Sequence, residues 1–314
     1  MMKPRALIFD CDPGTDDAVA LLMAFAHPER LNILGVTTVG GNVPLKYTSL
    51  NGLKIAELAG REDIPVFAGC DRPLVKHEYL SVEQIHGKTG LAGVSFPEPK
   101  RALESEHAVD FIIRTLLQSS EKITLAVTGP QTNIAMALVK EPKIVSKIDE
   151  IIFMGGSITE GNITPAAEFN FFMDPHAAHV VLSSKIKLTM MGLDVTHQLV
   201  TTPARLKAIQ SIGNKQSQAV FDILSFSGAY DMNRYEIEGG HIHDATVTAY
   251  LLKPELFQGR ECPVDVEISG QMTMGRTLVD WYNSNNNETN VKVIRSVDIE
   301  GFYDLLLECL KKYS

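Results

Sequence analysis

Short apolar runs rich in Val, Ile and Leu recur along the chain, each followed by a turn and a longer stretch with helical spacing. Residues 6–9 form the first run; a loop follows, then a helical stretch at 17–26 that stops before Pro28. A second strand is expected at 33–39 with its helix at about 50–58, and a short strand at Val66–Ala68. A helix at 107–118 leads to a strand at Ile123–Val127, a helix at 132–139 to a strand at 151–154, and a helix at Pro175–Leu182 to a strand at Leu188–Met191. Strands alternating with helices imply crossover units and a mainly parallel sheet. The runs do not alternate with polar residues, so both faces of that sheet are expected to be covered by helices.

The last third changes character. Helices are expected within 203–228 and 243–252, short antiparallel strands at 264–269, 276–280 and 291–294, and a final helix from 299 to about 312. The Asn-rich segment 283–290 reads as a surface loop. No repeat and no long linker interrupts the pattern, so residues 1–314 are expected to form a single α/β domain with an open, mixed but mainly parallel sheet.

In such sheets ligands bind beyond the carboxyl ends of the strands. The residues there are unusually polar: Asp10, Asp12, Asp16 and Asp17 after the first run, Gly40, Gly41 and Asn42 after the second, Thr128 and Gly129 after Ile123–Val127, Gly155 and Gly156 after 151–154, and Asp194 after Leu188–Met191.

Composition narrows the classes. Hydrophobic residues are 45% and charged residues 21%, ordinary for a globular chain, and the formal net charge of −9 argues against general affinity for nucleic acid or anionic membrane. Cys11, Cys70, Cys262 and Cys309 are too few and too scattered for a disulfide framework or a zinc site. The N-terminal MMKPRALIFDCDPG lacks the apolar run of a signal peptide or membrane span, so a reduced, cytoplasmic protein is expected.

The segment DCDPGTDD (10–17) puts four carboxylates within eight residues. Asp16 and Asp17 have a plain reading as helix N-terminal acids. Asp10 and Asp12 do not, and four like charges so close repel unless they are protonated or share a cation. Oxygen donors suit Ca²⁺ or Mg²⁺. Known motifs of other classes fail. An EF-hand loop from Asp10 would place Gly14 and Leu21 where Asp or Asn and Glu are required. Thr15 stands one residue too far for the D-x-D-x-T of haloacid-dehalogenase phosphatases. Gly87-Lys88-Thr89 lacks the leading glycine of a P-loop, since position 82 is Val82, and no GxGxxG occurs.

DCDPGTDDAVAL resembles the N-terminal motif of the inosine–uridine-preferring nucleoside hydrolases. The resemblance continues in order through TTVGGN (37–42), AGCDRPLV (68–75), IHGKTGL (85–91), VTGPQTNIAMAL (127–138), MGGSITEGNITPAAEFNFFMDPHAA (154–178), MGLDVTHQ (191–198) and HDATVTAYLL (243–252). The IHG loop and the His-Asp pair at 243 look like the non-specific or pyrimidine-preferring branch. The resemblance implies a calcium-dependent ribonucleosidase cleaving uridine, cytidine or inosine, and a homodimer or homotetramer. It implies Ca²⁺ held by Asp12, Asp17, the Thr128 carbonyl and Asp244, with Asp10 in support. Asp12 would also be the base that takes a proton from a metal-bound water. Asp16, Asn42, Glu168 and Asn170 would hold the ribose hydroxyls, with Asn162 and Met154 beside them. His243 would serve the leaving base, and Tyr230 falls near a base-pocket tyrosine, although an extra residue between Tyr235 and His243 leaves the register of Tyr230 and His241 open.

Chemistry accords with these types. Cleaving a ribosidic bond builds an oxocarbenium-like sugar and an anionic base. A water beside a cation and a carboxylate is a competent nucleophile, and polar groups that read the diol discriminate against deoxynucleosides. Structural alternatives stand beside each role: His243-Asp244 as a helix start, Asn162, Glu168 and Asn170 as caps or turns, and His86, which could close over the base, in a surface loop without ligand contact. Phe169 to Met173 read as packing. Rival classes are a metal-dependent phosphohydrolase, which would need a nucleophile at Asp10 and a lysine clamp, and a non-catalytic nucleoside sensor. Base preference is expected to lie in the loops near 79–90 and 225–243.

Overall fold

The computed structural model describes residues 3–76, 82–284 and 286–313. The expected specificity loop near 79–90 therefore lies outside the described residues at 79–81, as does residue 285 of the Asn-rich segment.

The first half alternates as the apolar runs predict: β1 (Arg5–Cys11), α1 (Thr15–Phe25), β2 (Leu31–Thr38), α2 (Leu45–Leu58), β3 (Val66–Ala68), α3 (Glu83–His86), α4 (Ala108–Gln118), β4 (Ile123–Val127), α5 (Thr132–Lys140) and β5 (Ile148–Met154). Then come α6 (Phe169–Met173), α7 (Pro175–Leu182), β6 (Leu188–Met191), α8 (Leu193–Thr196), β7 (Val200–Thr201), α9 (Pro203–Gln210), α10 (Lys215–Tyr235), β8 (Gly240–His241) and α11 (Ala245–Leu252). The chain ends with β9 (Phe257–Cys262), β10 (Val264–Val266), β11 (Thr277–Val279), β12 (Val291–Val297) and α12 (Ile299–Lys311).

Eight strands form one sheet in the order β3-β2-β1-β4-β5-β6-β12-β9. Every pairing is parallel except β9 with β12. Successive β1 residues feed opposite faces: Leu7, Phe9 and Cys11 join one apolar cluster and Ile8 the other. Both faces are thus covered, as the lack of alternation predicts. Every residue of α1 except Asp16 is buried, the mark of a helix surrounded by protein. Each fully buried Leu, Ile or Phe contributes about 1.5–3 kcal/mol, and that apolar frame offsets the cost of burying the acids at its end.

Strand order runs outward from β1 in both directions, to β2 and β3 on one side and to β4, β5 and β6 on the other. The switch point therefore lies between the carboxyl ends of β1 and β4. Asp10 to Asp17 and Thr128 sit there.

The structure differs from expectation in the last third. Val264–Val266 and Thr277–Val279 pair antiparallel, but Val291–Val297 joins the main sheet, parallel to β6. The unexpected β9 has four exposed residues in its middle, since it is an edge strand with little apolar content. The helix expected to stop at 228 runs to Tyr235. The helix expected from 243 begins at Ala245, and Phe169–Met173 is a short helix that the apolar pattern did not announce. Among the described residues no helix is long and apolar enough to cross a membrane, and the four cysteines are free.

Candidate active site

Five acids gather at the switch point. Asp10, the last but one residue of β1, accepts hydrogen bonds from Thr37 Oγ1 (2.5 Å) and Asn133 Nδ2 (2.8 Å). Asp12 is fully buried; its Oδ2 accepts from the Asn42 N–H at 2.6 Å, and its Oδ1 has no partner. Glycines make room for it: a Cβ on Gly129 would lie 2.6 Å from Asp12 Oδ1, and one on Gly41 would overlap Oδ2. Asp17 sits in the first turn of α1, where its Oδ2 accepts from Gly14 N (3.0 Å) and Asn42 Nδ2 (3.1 Å) and its Oδ1 from Thr128 Oγ1 (2.7 Å). The helix-cap reading of Asp17 thus holds, and the same carboxylate also converges with Asp16 and Asp244. Asp244, from the other end of the sequence, comes to the same point, with oxygens of Asp16, Asp17 and Asp244 all within 4.8 Å of one another. Asp16 Oδ2 accepts the backbone N–H groups of His243 (3.3 Å) and Asp244 (3.4 Å), which ties α1 to the start of α11.

Burial and mutual repulsion act together on these groups. Desolvation, then the Asp16 charge, pushes Asp17 up to about 7; desolvation and the Asp17 charge push Asp12 well above its ordinary value. Asp244 rises likewise, by burial and by its acidic neighbours. Burial raises Asp10 to about 7 despite its two donors.

The bare Asp12 Oδ1 and the convergence of carboxylates are what an oxygen-liganded cation would answer. The Thr128 carbonyl faces the same region, where it accepts Asn170 Nδ2 at 2.8 Å. The residues present therefore fit a hard divalent ion, and no sulfur or imidazole stands among these donors.

A cavity opens above this group. Asp16, Asn42, His86, Thr128, Met154, Asn162, Glu168, Asn170, Tyr230, His243 and Asp244 all line it. Every residue assigned by resemblance to the substrate thus faces one space. Several also hold the structure. Glu168 caps α6, its carboxylate accepting from Asn170 N (2.9 Å), Gly156 N (2.9 Å) and Phe171 N (3.1 Å); burial nevertheless raises it to about 7. Asn162 Oδ1 accepts from Phe169 N at 2.9 Å. Asn170 spends its amide on the Thr128 and Met154 carbonyls, not on open space.

Part of the lining is imidazole. His86 is buried on α3, so the reading of a surface loop without contact does not hold. The Thr15 N–H donates to its Nδ1 at 3.1 Å, which leaves the neutral ring's proton on Nε2. Burial lowers His86 to about 4. His243 Nδ1 pairs with Thr196 Oγ1 at 2.8 Å, and burial lowers this ring too.

Sequence reasoning missed part of the lining. Ser227, Asp231, Arg234 and Tyr235 join Tyr230 at the spacing of one helical face, i, i+3, i+4, i+7 and i+8. A helix ended at 228 loses that face. His241, Thr15, Val82, Ile85, Ile163 and Phe169 complete the wall, and Phe169 is a lining residue where packing was expected.

A doubly covered parallel sheet with an acidic cation-type cluster at its switch point, facing a cavity of imidazoles and amides, defines a hydrolase-type site. Comparison with known proteins gives the family. The family described as "Inosine-uridine preferring nucleoside hydrolase" matches residues 7–304, and the chain belongs to it. It is 43% identical over 310 residues to the pyrimidine-specific ribonucleoside hydrolase RihA of Photobacterium profundum, covering 98% of this chain and 99% of that one. It is 40% identical over 312 residues to the pyrimidine-specific RihB of an Escherichia coli strain, covering 99% of each. A purine-preferring ribonucleoside hydrolase from Gardnerella vaginalis superimposes with a TM-score of 0.89 at 32% identity, covering 98% of this chain and 99% of that one. The protein is accordingly a ribonucleoside hydrolase, acting on N-glycosyl bonds.

Proposed function

We propose that the enzyme hydrolyses uridine, cytidine and inosine to ribose and free base in a calcium-dependent reaction, with pyrimidine nucleosides preferred. The observation that carries the reading is the unpartnered, fully buried Asp12 Oδ1 next to the carboxylates of Asp16, Asp17 and Asp244, whose oxygens converge. Pyrimidine preference rests on the names of the RihA and RihB relatives. Calcium held by Asp12, Asp17, Asp244 and the Thr128 carbonyl, with Asp10 behind Asp12, would supply the charge that lets these acids stay ionised and that draws a water and the ribose diol together.

The protein's own groups do the rest. Asp12 accepts the proton of the attacking water at Oδ1, the oxygen that no protein group occupies. Asp16, Asn42, Glu168 and Asn170 surround the ribose hydroxyls, and Asn170 turns its amide from the Thr128 carbonyl toward the sugar. Met154 and Asn162 flank the ring. Negative charge around the sugar stabilises the oxocarbenium-like transition state. His243 and His86, both neutral at pH 7, offer hydrogen bonds to the departing base, and Tyr230 borders it.

The test is ribose release across a nucleoside panel, with and without chelator. Release from uridine, cytidine and inosine, little from 2′-deoxyuridine, loss on chelation and recovery with calcium are expected. Phosphate release from nucleotides without ribose release from nucleosides, or turnover unchanged by chelation, contradicts the reading.

A further inference from the structure

Beside the cavity, a second group of side chains is arranged like ligands. His197, just after α8, His241 in β8 and His243 before α11 each offer a ring nitrogen, and the three nitrogens lie within 4.8 Å of one another. The His197 and His241 rings stack with centroids 4.4 Å apart, and His243 stands edge-on to His197 at 5.7 Å.

Two of the outer nitrogens are already taken. His241 Nδ1 bonds Asp231 Oδ2 at 3.0 Å, and His243 Nδ1 bonds Thr196 Oγ1 at 2.8 Å, so each ring is held with Nε2 free. His197 Nε2 is buried and has no hydrogen-bond partner. A buried polar atom left bare is costly, and with the ring nitrogens of His241 and His243 gathered near it a shared partner is invited. The carboxylate behind His241 and the hydroxyl behind His243 are the usual outer support of a d-block metal ligand. Burial, with the neighbouring His243 and His241, also keeps His197 in its neutral, ligating form.

We propose that His197, His241 and His243 form a second metal site, distinct from the acidic one, that takes a late first-row divalent cation of the zinc class. Three nitrogens and no oxygen disfavour calcium and magnesium and suit zinc, cobalt, nickel or copper. In a tetrahedral shell with bonds of 2.0–2.1 Å the nitrogens stand about 3.3 Å apart, so separations of up to 4.8 Å need to close by at most about 1.5 Å, a side-chain adjustment. A fourth position remains for water or a base nitrogen, because His241 and His243 also line the nucleoside cavity. Occupation therefore ties up His243. The consequence for activity, reversible inhibition by zinc at saturating calcium, rests on the function proposed above; the binding itself does not.

Cobalt and zinc, added to calcium-saturated protein, test this directly. One cobalt per chain with the intense visible absorption of a tetrahedral site, displaced by zinc, is expected. His197 lies outside the cavity lining, so His197→Phe should keep fold and basal ribose release. It should lose the tetrahedral cobalt spectrum and raise the zinc concentration for half-inhibition by about tenfold or more. Asp231→Asn should weaken zinc by about 10–100-fold while leaving all three ligands in place, which covers the case in which His197→Phe does not fold. A wild-type cobalt spectrum of octahedral type alone overturns the proposal. So does zinc binding that neither substitution changes. Tetrahedral cobalt in a protein that releases no ribose leaves the site standing and removes the nucleosidase reading instead.

Discussion

The acidic cluster of Asp12, Asp17 and Asp244 and the imidazoles of His86, His197 and His243 are shifted by the same force in opposite directions. Removal from water raises the acids and lowers the imidazoles, so burial drives both walls toward neutrality. The outcomes differ. A neutral imidazole keeps one donor and one acceptor, and Thr15 and Thr196 already satisfy one side of His86 and His243. A neutral carboxyl neither binds a cation nor takes a proton from water. The acidic wall thus works only with a partner of opposite charge, whereas the imidazole wall is ready as folded. Each prediction below tests that contrast.

Asp12→Ala should have the largest effect. Removing the base is expected to lower kcat for uridine by about 10²–10⁴-fold. The fold should survive, because Asp12 Oδ1 has no partner to lose and Oδ2 serves only the Asn42 N–H. A buried carboxyl that burial and its acidic neighbours disfavour also disappears, so the thermal midpoint in chelator should not fall. Turnover near that of the parent in a folded variant removes Asp12 from the mechanism.

His243→Ala should cost less, about 10²-fold in kcat, because the grip on the ribose and the attacking water remain. The loss should depend on the leaving group. A riboside of an acidic phenol such as 4-nitrophenol departs without protonation and should be cleaved nearly as fast as by the parent. Equal losses on uridine and on that riboside would assign His243 to sugar binding or to structure instead.

The two walls were also unequally legible in the sequence. The acidic wall shows because its charge is dense and local: Asp10, Asp12, Asp16 and Asp17 follow an apolar strand with no structural need for so many like charges. The sheet was legible for a similar reason, in that β3, β4 and β6 are apolar runs bounded by turn residues. β9 was not, because Phe257–Cys262 is an edge strand whose middle residues face solvent and carry no apolar pattern. The cavity face of α10 was lost because residues 229–235 are polar there, turned toward a ligand space instead of a core. His197, His241 and His243 come from separate elements, and no spacing in the chain announces that their nitrogens meet. Resemblance gave a role to His243 alone among the three, although its motifs include His197 and left the register of His241 open.

The smallest effect is on stability, and its sign follows from the shifts. Asp10 and Asp17 move from 3.8 to about 7 in the folded chain, so between those values the folded state holds protons that the unfolded chain has released. Their contribution is full below about pH 4 and is lost as pH rises through about 7. His86 and His197 move from 6.5 to about 4 and about 3, so their contribution is full above pH 6.5 and is lost as pH falls. The two oppose each other between about pH 4 and 6.5. Above 6.5 only the carboxylates still titrate, and the metal-free protein should lose stability up to pH 8. The slope is at most on the order of 1 kcal/mol per pH unit for each carboxyl still protonated. Thermal melts in chelator from pH 6 to 8 should show the midpoint falling. Calcium should raise it more at pH 8 than at pH 6, since the ion replaces protons that are already gone at the higher pH. A chelated midpoint that holds or rises over that range would mean that the acidic wall is not strained by burial, and the contrast between the walls would rest on hydrogen bonding alone.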